Sequence, residues 1–232
     1  MLSGTVAKPD TTLIPRWGRF AAIFLAVALT AFALDRYISG LEGHKFLVRF
    51  IAPAFADEQL GVLAAWPLSE ALHRLGGVTL LAAGMAQFSD RLRRQKPRLH
   101  RLCGYLYVVL AISAGCSGAY MGVRSPFGGV SEAIPSVIFG VALVVMTLVA
   151  LGHARGRRFE THREWMLRSY ALVLGPMAVR AIYIVIWFAT GIDERRIIGP
   201  SFWLGWLACW GTAELWIYRR KQRLQARAAT RA

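Results

Sequence analysis

The feature that most limits how this chain can fold is a series of apolar runs, each about 20 residues long. A helix rises ~1.5 Å per residue, so about 20 apolar residues cross the ~30 Å hydrocarbon core of a bilayer. A helix also satisfies its own backbone hydrogen-bonding groups in lipid. The sequence therefore predicts an all-α polytopic membrane protein, a bundle of six transmembrane helices. The predicted spans cover residues 17–39, 65–89, 102–123, 134–152, 165–188 and 201–218.

The basic residues are distributed unevenly between the two sides of this predicted bundle. The net charge is +15, which in a soluble protein would suggest nucleic-acid binding, but the basic residues form short clusters between apolar runs. Alternate connecting segments, counted with the ends of the adjoining spans, hold 20 Lys and Arg residues on one side and six on the other. Basic segments are retained in the cytoplasm. We therefore expect a cytoplasmic arm (1–16), a transmembrane domain (17–218) and a basic cytoplasmic tail (219–232), with the lipid bilayer rather than nucleic acid as partner.

Histidines are the main candidates for chemistry, because ionisable groups are costly at membrane depth and mark functional positions. The second to fifth predicted spans carry one histidine each, on the span or at its end: His73, His100, His153 and His162. The fifth histidine, His44, lies in the first outer loop and has no evident partner in the sequence.

The third and fifth spans carry matching polar positions. Tyr107 and Ser169 each follow a histidine, His100 and His162, by seven residues, which places each pair within about 20° on one helix face. We expect the two histidines to face each other at the cytoplasmic end, with Tyr107 and Ser169 one level deeper. Small residues on the third span have two interpretations, a tight helix contact or room for a flat cofactor. They include Gly104, Ala111 and Gly115.

Three of the charged groups within the predicted spans have candidate partners. Arg180 is eighteen residues, or five turns, beyond His162 and shares its helix face. It is expected either to meet an acceptor such as Glu70, Glu132 or a ligand, or to reach the headgroups. Glu70 is expected to bond His73 three residues later. Glu214 is expected to pair with Arg219 or a neighbouring arginine.

Two stretches resemble a known family. They are residues 100–107, HRLCGYLY, and residues 162–172, HREWMLRSYAL, with Arg180 beyond. They are similar to the motifs of a bacterial membrane-protein family, domain of unknown function 2306, over about residues 72–180. The resemblance implies a multi-pass protein of the bacterial inner membrane. It brings no established activity.

A looser similarity is to membrane cytochromes of the b561 type, in which histidines on four core helices bind haem in pairs. It implies haem b as a cofactor, with His100 and His162 as ligands of one iron. His73 and His153 lie at different depths and do not make an equivalent second pair. Further cofactor-binding candidates on this interpretation are Tyr107, Arg168 and Arg180.

The sequence thus favours a b-type haem or quinone-interacting electron-transfer protein, with a quinone or another redox protein as partner. One alternative is a small-solute or proton-linked transporter or sensor, which would use the intramembrane His, Glu and Arg as a polar path. Another is a structural membrane subunit. The sequence contains no GxSxG, HExxH or Walker motif, and it does not decide whether the protein is an enzyme.

Overall fold

The computed structural model describes residues 55–65 and 67–230, together with positions 31, 34, 35, 38, 40, 43–46, 48 and 49. The first predicted span, 17–39, falls largely outside the described residues. From residue 55 onward the chain forms seven helices joined by short turns. They are α1 (Ala56–Ala65), α2 (Pro67–Gln87), α3 (Asp90–Gln95), α4 (Pro97–Arg124), α5 (Val130–Arg155), α6 (Phe159–Thr190) and α7 (Glu194–Ala229).

Three of the described helices, α4, α5 and α6, are long and apolar enough to cross a membrane. They contain the third, fourth and fifth predicted spans. The second and sixth predicted spans fall mainly on α2 and α7, which are helical but less apolar. Glu70, His73 and Arg74 lower the hydropathy of α2, and several tryptophans and Glu214 lower that of α7. The all-helical prediction is confirmed for the described part of the chain.

Four of the described helices form a core in which each packs against two of the others. α4 packs between α2 and α5, α5 packs against α6, and α6 returns to α2, so that α4 and α6 occupy opposite corners. α7 lies outside this square against α6 and α5. Buried residues from all four core helices meet at the centre, including Leu80, Tyr107, Phe139 and Leu172. A side chain on α4 can therefore reach α6 only across the middle of the bundle.

The two ends of the bundle differ in charge. At the basic end, α2 and α5 finish and α4 and α6 begin, at the connection 88–96, which contains α3, and at the turn 156–158. At the far end are the turns 125–129 and 191–193. α7 runs from the far end to the basic end and beyond. Near its start, Arg195 forms an ion pair with Glu58 of α1, whose carboxylate raises the pKa of the guanidinium.

Backbone contact between α4 and α5 depends on a pair of glycines. A Cβ added at Gly115 would lie 2.7 Å from the carbonyl oxygen of Gly140, and a Cβ at Gly140 would lie 2.7 Å from that of Gly115. Membrane helices commonly use small residues in this way, because lipid supplies no hydrophobic force to bring helices together. The small residues on this part of α4 thus serve helix packing.

The contact between α6 and α7 is organised around Pro176. A proline inside a helix has no N–H, so the carbonyl four residues earlier, that of Leu172, loses its partner in the helix. The indole Nε1 of Trp206, on α7, donates to this carbonyl at 3.1 Å. Gly175 makes the approach possible, because a Cβ there would overlap the Trp206 ring. A backbone carbonyl that loses its helical hydrogen bond within lipid needs another donor, which Trp206 supplies here.

Candidate functional site

A chain of buried hydroxyls crosses the core. Tyr107 on α4, Thr147 on α5 and Ser169 on α6 are all fully buried. The Tyr107 and Ser169 oxygens are 2.8 Å apart, and the Ser169 and Thr147 oxygens 2.7 Å apart. Thr147 donates its proton to the Leu143 carbonyl at 2.7 Å. Thr147 must therefore accept from Ser169, and Ser169 from Tyr107. The predicted meeting of Tyr107 and Ser169 is confirmed.

Two histidines lie nearer the basic end than this chain of hydroxyls. His162 contacts the Ala150 carbonyl at 2.8 Å through Nδ1, which must donate because a carbonyl only accepts. His100 is close enough to His162 for the two side chains to interact electrostatically. Its backbone carbonyl accepts a 3.0 Å bond from Gln87 of α2. The structure thus brings His100 and His162 to the same end of the bundle, from opposite corners of the core.

Unpartnered imidazole nitrogens are a second feature of the basic end. The Nδ1 atoms of His100 and His153 are both buried and have no hydrogen-bond partner. A buried polar atom without a partner calls for an explanation, such as water, an ion or a ligand. Within the described residues, no three or more His, Cys, Asp or Glu side chains are grouped so as to hold a metal ion. His153 therefore does not complete a three-ligand metal site with His100 and His162.

The small-residue face of α4 does not provide a long slot for a flat cofactor. A Cβ at Gly104 would already lie 3.3 Å from the Gln87 side chain. Ala111 is fully buried in the core, and Gly115 touches α5. Of the two interpretations of these residues, tight packing is the one that the structure shows. Any flat ligand that meets His100 and His162 must therefore lie between Tyr107 and the basic end.

Arg168 is fully engaged by protein groups. Its Nε and Nη2 donate to the two carboxylate oxygens of Glu214 at 2.6 and 2.9 Å, and its guanidinium lies 4.9 Å from the centre of the Trp165 ring. Trp210 also donates to Glu214, at 2.9 Å. The sequence predicts that Glu214 pairs with Arg219 or an arginine near it; it pairs instead with Arg168 of α6, because α7 packs on α6.

A buried charged network lies at the far end. The Nε of Arg74 is 2.6 Å from Glu70, and its Nη1 is 3.1 Å from the Nε2 of His44. Because arginine only donates, this nitrogen of His44 must accept, so the ring is neutral and carries its proton on Nδ1. That proton is directed to Asp35 at 3.1 Å. His44 is fully buried, and the expectation that it has no partner is wrong.

His73 and Arg180 lie close to this network. His73 Nδ1 contacts the Ser117 hydroxyl at 3.4 Å, so the predicted bond between Glu70 and His73 is wrong. Arg180 is near enough to His73 and Arg74 to interact electrostatically. Its hydrogen bond goes to the Pro176 carbonyl, at 3.0 Å.

Neither carboxylate expected to accept from Arg180 does so. Glu70 binds Arg74, and Glu132 accepts from the backbone N–H of Gly128 at 2.7 Å.

Some of these polar residues could have been singled out from the sequence and others could not. Thr147 and Ser117 are hydroxyls in otherwise apolar runs, which is a usable signal. The partners of His44 depend on how a segment before residue 50 packs on α2, and no spacing in the sequence predicts that.

The family model described as "Predicted membrane protein (DUF2306)" matches residues 70–217. The match covers more than half of the chain. The chain belongs to this family. The DUF2306 match extends further than the 72–180 expected from the motifs and includes Glu70 and Glu214. No curated protein and no solved structure matches the chain. The resemblance to b561-type cytochromes gains no support from these comparisons.

Proposed function

We propose that this DUF2306 protein is a bacterial inner-membrane electron-transfer protein that binds one b-type haem between His100 and His162. The observation that carries the proposal is that these two histidines lie at the same end of the four-helix core, on opposite corners, near enough to interact electrostatically. A bound haem would supply one-electron chemistry. The protein would hold it, orient it and keep water from its inner edge.

The hydrogen bond of His162 supports a ligand role. A histidine that ligates a metal usually donates its other ring N–H to a carbonyl or carboxylate, which fixes the tautomer and the ring orientation. His162 makes such a bond through Nδ1 to Ala150, so Nε2 is the nitrogen left for a ligand. The buried Nδ1 of His100 has no protein partner, and a ligand there would relieve a cost of about 1–3 kcal/mol.

The surroundings set the depth and the charge of the proposed site. Tyr107 and Ser169 lie seven residues, about 10.5 Å, deeper than their histidines and close the site from below. Arg93 interacts electrostatically with both His100 and Arg163 at the basic end. Arg163 suits a propionate of a haem, whereas Arg93 is paired with Asp90 and Arg168 with Glu214.

The visible spectrum of the purified protein tests this proposal. After growth with ample haem precursor, we expect a Soret band and sharpened bands on reduction. His100→Ala and His162→Ala should each remove the spectrum while the amount of protein in the membrane stays the same. His153→Ala is the matched control at the same end and should keep it. A colourless wild type, or a spectrum that survives both substitutions, overturns the haem assignment.

A quinone at the same place is the second candidate. If the Nδ1 of His100 carries the proton, it is a buried donor that could bond a quinone carbonyl. Extraction of a colourless purified protein with organic solvent would then yield quinone in near-equal amount to the protein. His100→Ala should lower that yield, and His153→Ala should not.

The six-span topology is also part of the proposal. The bundle would then have six spans, the first, second and sixth predicted spans in addition to α4, α5 and α6. With an even number of spans, both termini lie on the same side as the basic end, which would be in the cytoplasm. The excess of Lys and Arg in alternate connecting segments supports this orientation.

A further inference from the structure

In the far half of the bundle, none of the described residues fills the space beside Gly77 on α2. His73, Gly77, Leu80 and Gly84 are spaced four, three and four residues apart, so they share the inward face of α2. Toward the basic end this face is filled, because Leu80 is buried and a Cβ at Gly84 would overlap Tyr170. At Gly77 no described atom lies within 4 Å of the place a Cβ would occupy. The space therefore begins on the far-end side of Leu80, at the level of Gly77.

Arg180 points toward the same region. It is eleven residues beyond Ser169, about three turns, so the two share a face of α6 to within about 20°. Ser169 is fully buried at the centre of the bundle, whereas Arg180 is exposed. Its guanidinium bonds the Pro176 carbonyl one turn earlier on α6, so its exposure does not come from reaching the headgroups at the far end. The interior is thus open to a solute at the level of Arg180.

Among the described residues, the charges around this space leave Arg180 without an anionic partner. The carboxylate of Glu70 and the ring of His44 are bound to Arg74 on α2, and Asp35 is bound to His44. Arg180 donates to a neutral backbone carbonyl and lies near the positive charge of Arg74. Two guanidiniums near each other, one of them without a carboxylate, favour an anion.

The tautomer of His73 limits which anions can bind beside it. The Ser117 hydroxyl donates to the Ala114 carbonyl at 3.3 Å, so it accepts from the Nδ1–H of His73. In the neutral ring Nε2 is then an acceptor, and it makes no hydrogen bond to the described residues. A ligand that meets both Arg180 and His73 must offer an anionic oxygen to one and an O–H to the other.

We infer that the far half of the bundle binds a small oxyanion that carries a hydroxyl, with hydrogen phosphate as the simplest example. Arg180 donates to its anionic oxygen, the Nε2 of His73 accepts from its O–H, and Gly77 leaves the room that it occupies. The phosphate group can come from a free solute or from a phosphatidic acid headgroup, which has the same O–H. This site is separate from the proposed haem site and does not depend on it.

Thermal unfolding of the purified full-length protein in neutral detergent tests the inference, because a ligand that binds only the folded state raises Tm. Inorganic phosphate near pH 6.5 should raise Tm, and sulfate at equal ionic strength should bind at least about tenfold more weakly, because it has no O–H. Phosphatidic acid in nanodiscs of otherwise neutral lipid is the second arm. Stabilisation by phosphatidic acid alone assigns the headgroup as ligand, and stabilisation by neither compound overturns the site.

Two pairs of variants locate the binding. Arg180→Gln should weaken phosphate binding at least tenfold, whereas Arg124→Gln, at an exposed arginine near the far end of α4, should not. Gly77→Leu should fill the space and abolish binding. Gly76→Leu is the matched control, since Gly76 also has no described atom within 4 Å but points about 100° away around the helix. Equal binding of phosphate and sulfate, or unchanged binding in Arg180→Gln, contradicts the inference.

Discussion

Ser169 shows how a single polar side chain can be accommodated at the centre of a membrane bundle. It accepts from Tyr107 and donates to Thr147, which donates to the Leu143 carbonyl, so each hydroxyl proton in the chain has an acceptor. The chain ends on the Leu143 carbonyl, which accepts a second hydrogen bond without losing its first. Polar groups buried in this way are stable only when each is satisfied, because hydrocarbon offers no water as a replacement.

The direction of this hydrogen-bond chain predicts unequal effects of two substitutions. Tyr107→Phe removes only the first donor and should cost about 0.5 kcal/mol, near the average for hydrogen bonds between membrane helices. Ser169→Ala leaves the buried Tyr107 O–H without an acceptor and should lower the free energy of unfolding by about 1–2 kcal/mol. The free energy of unfolding in mixed micelles, titrated with denaturing detergent, measures both.

Ser201→Ala is the control for these two substitutions. Ser201 is also fully buried, but it bonds only the Ile197 carbonyl of its own helix, so little should change. A larger loss for Tyr107→Phe than for Ser169→Ala would contradict the assigned direction.

The contact between α4 and α5 rests on glycines whose neighbours are backbone atoms. A side chain in the way can rotate aside, but the Gly140 carbonyl next to Gly115 is part of a hydrogen-bonded helix and cannot. The two helices must therefore separate if a methyl group is added between them. Packed cores respond to such additions with a loss of stability, since dense interiors have no spare volume.

We predict that Gly115→Ala lowers the free energy of unfolding by about 1–3 kcal/mol, the usual cost of overpacking. Gly152→Ala is the matched control on α5. No described atom lies within 4 Å of its added Cβ, and alanine favours a helix over glycine by up to about 1 kcal/mol. The control should be neutral or slightly stabilising in the same detergent titration. Equal destabilisation by the two substitutions would mean that α4 and α5 are not in backbone contact.

The architecture of the whole molecule could be predicted more fully than its polar contacts. The third to fifth spans follow from run length, and the Tyr107–Ser169 contact follows from helical phase and depth. These are properties of each helix by itself. The partners of Glu70, Glu214 and Arg180 depend on how the helices are rotated and how deep they sit relative to one another. The rotation and depth of each helix are set by packing features such as the Gly115–Gly140 contact and the Trp206–Leu172 hydrogen bond.

The proposed orientation of the molecule can be tested with reporter fusions at its two ends. Twenty Lys and Arg residues in the predicted cytoplasmic segments and adjoining span ends, against six on the other side, predict that the basic end stays in the cytoplasm. A green fluorescent protein fused after Ala232 should fluoresce, and alkaline phosphatase there should be inactive. A phosphatase fused after Gly191, at the far-end turn between α6 and α7, should be active. Because α7 connects the two fusion points, these results must be opposite if it spans the bilayer. Phosphatase activity after Ala232 would reverse the orientation, and matching results at both points would remove α7 from the set of spans.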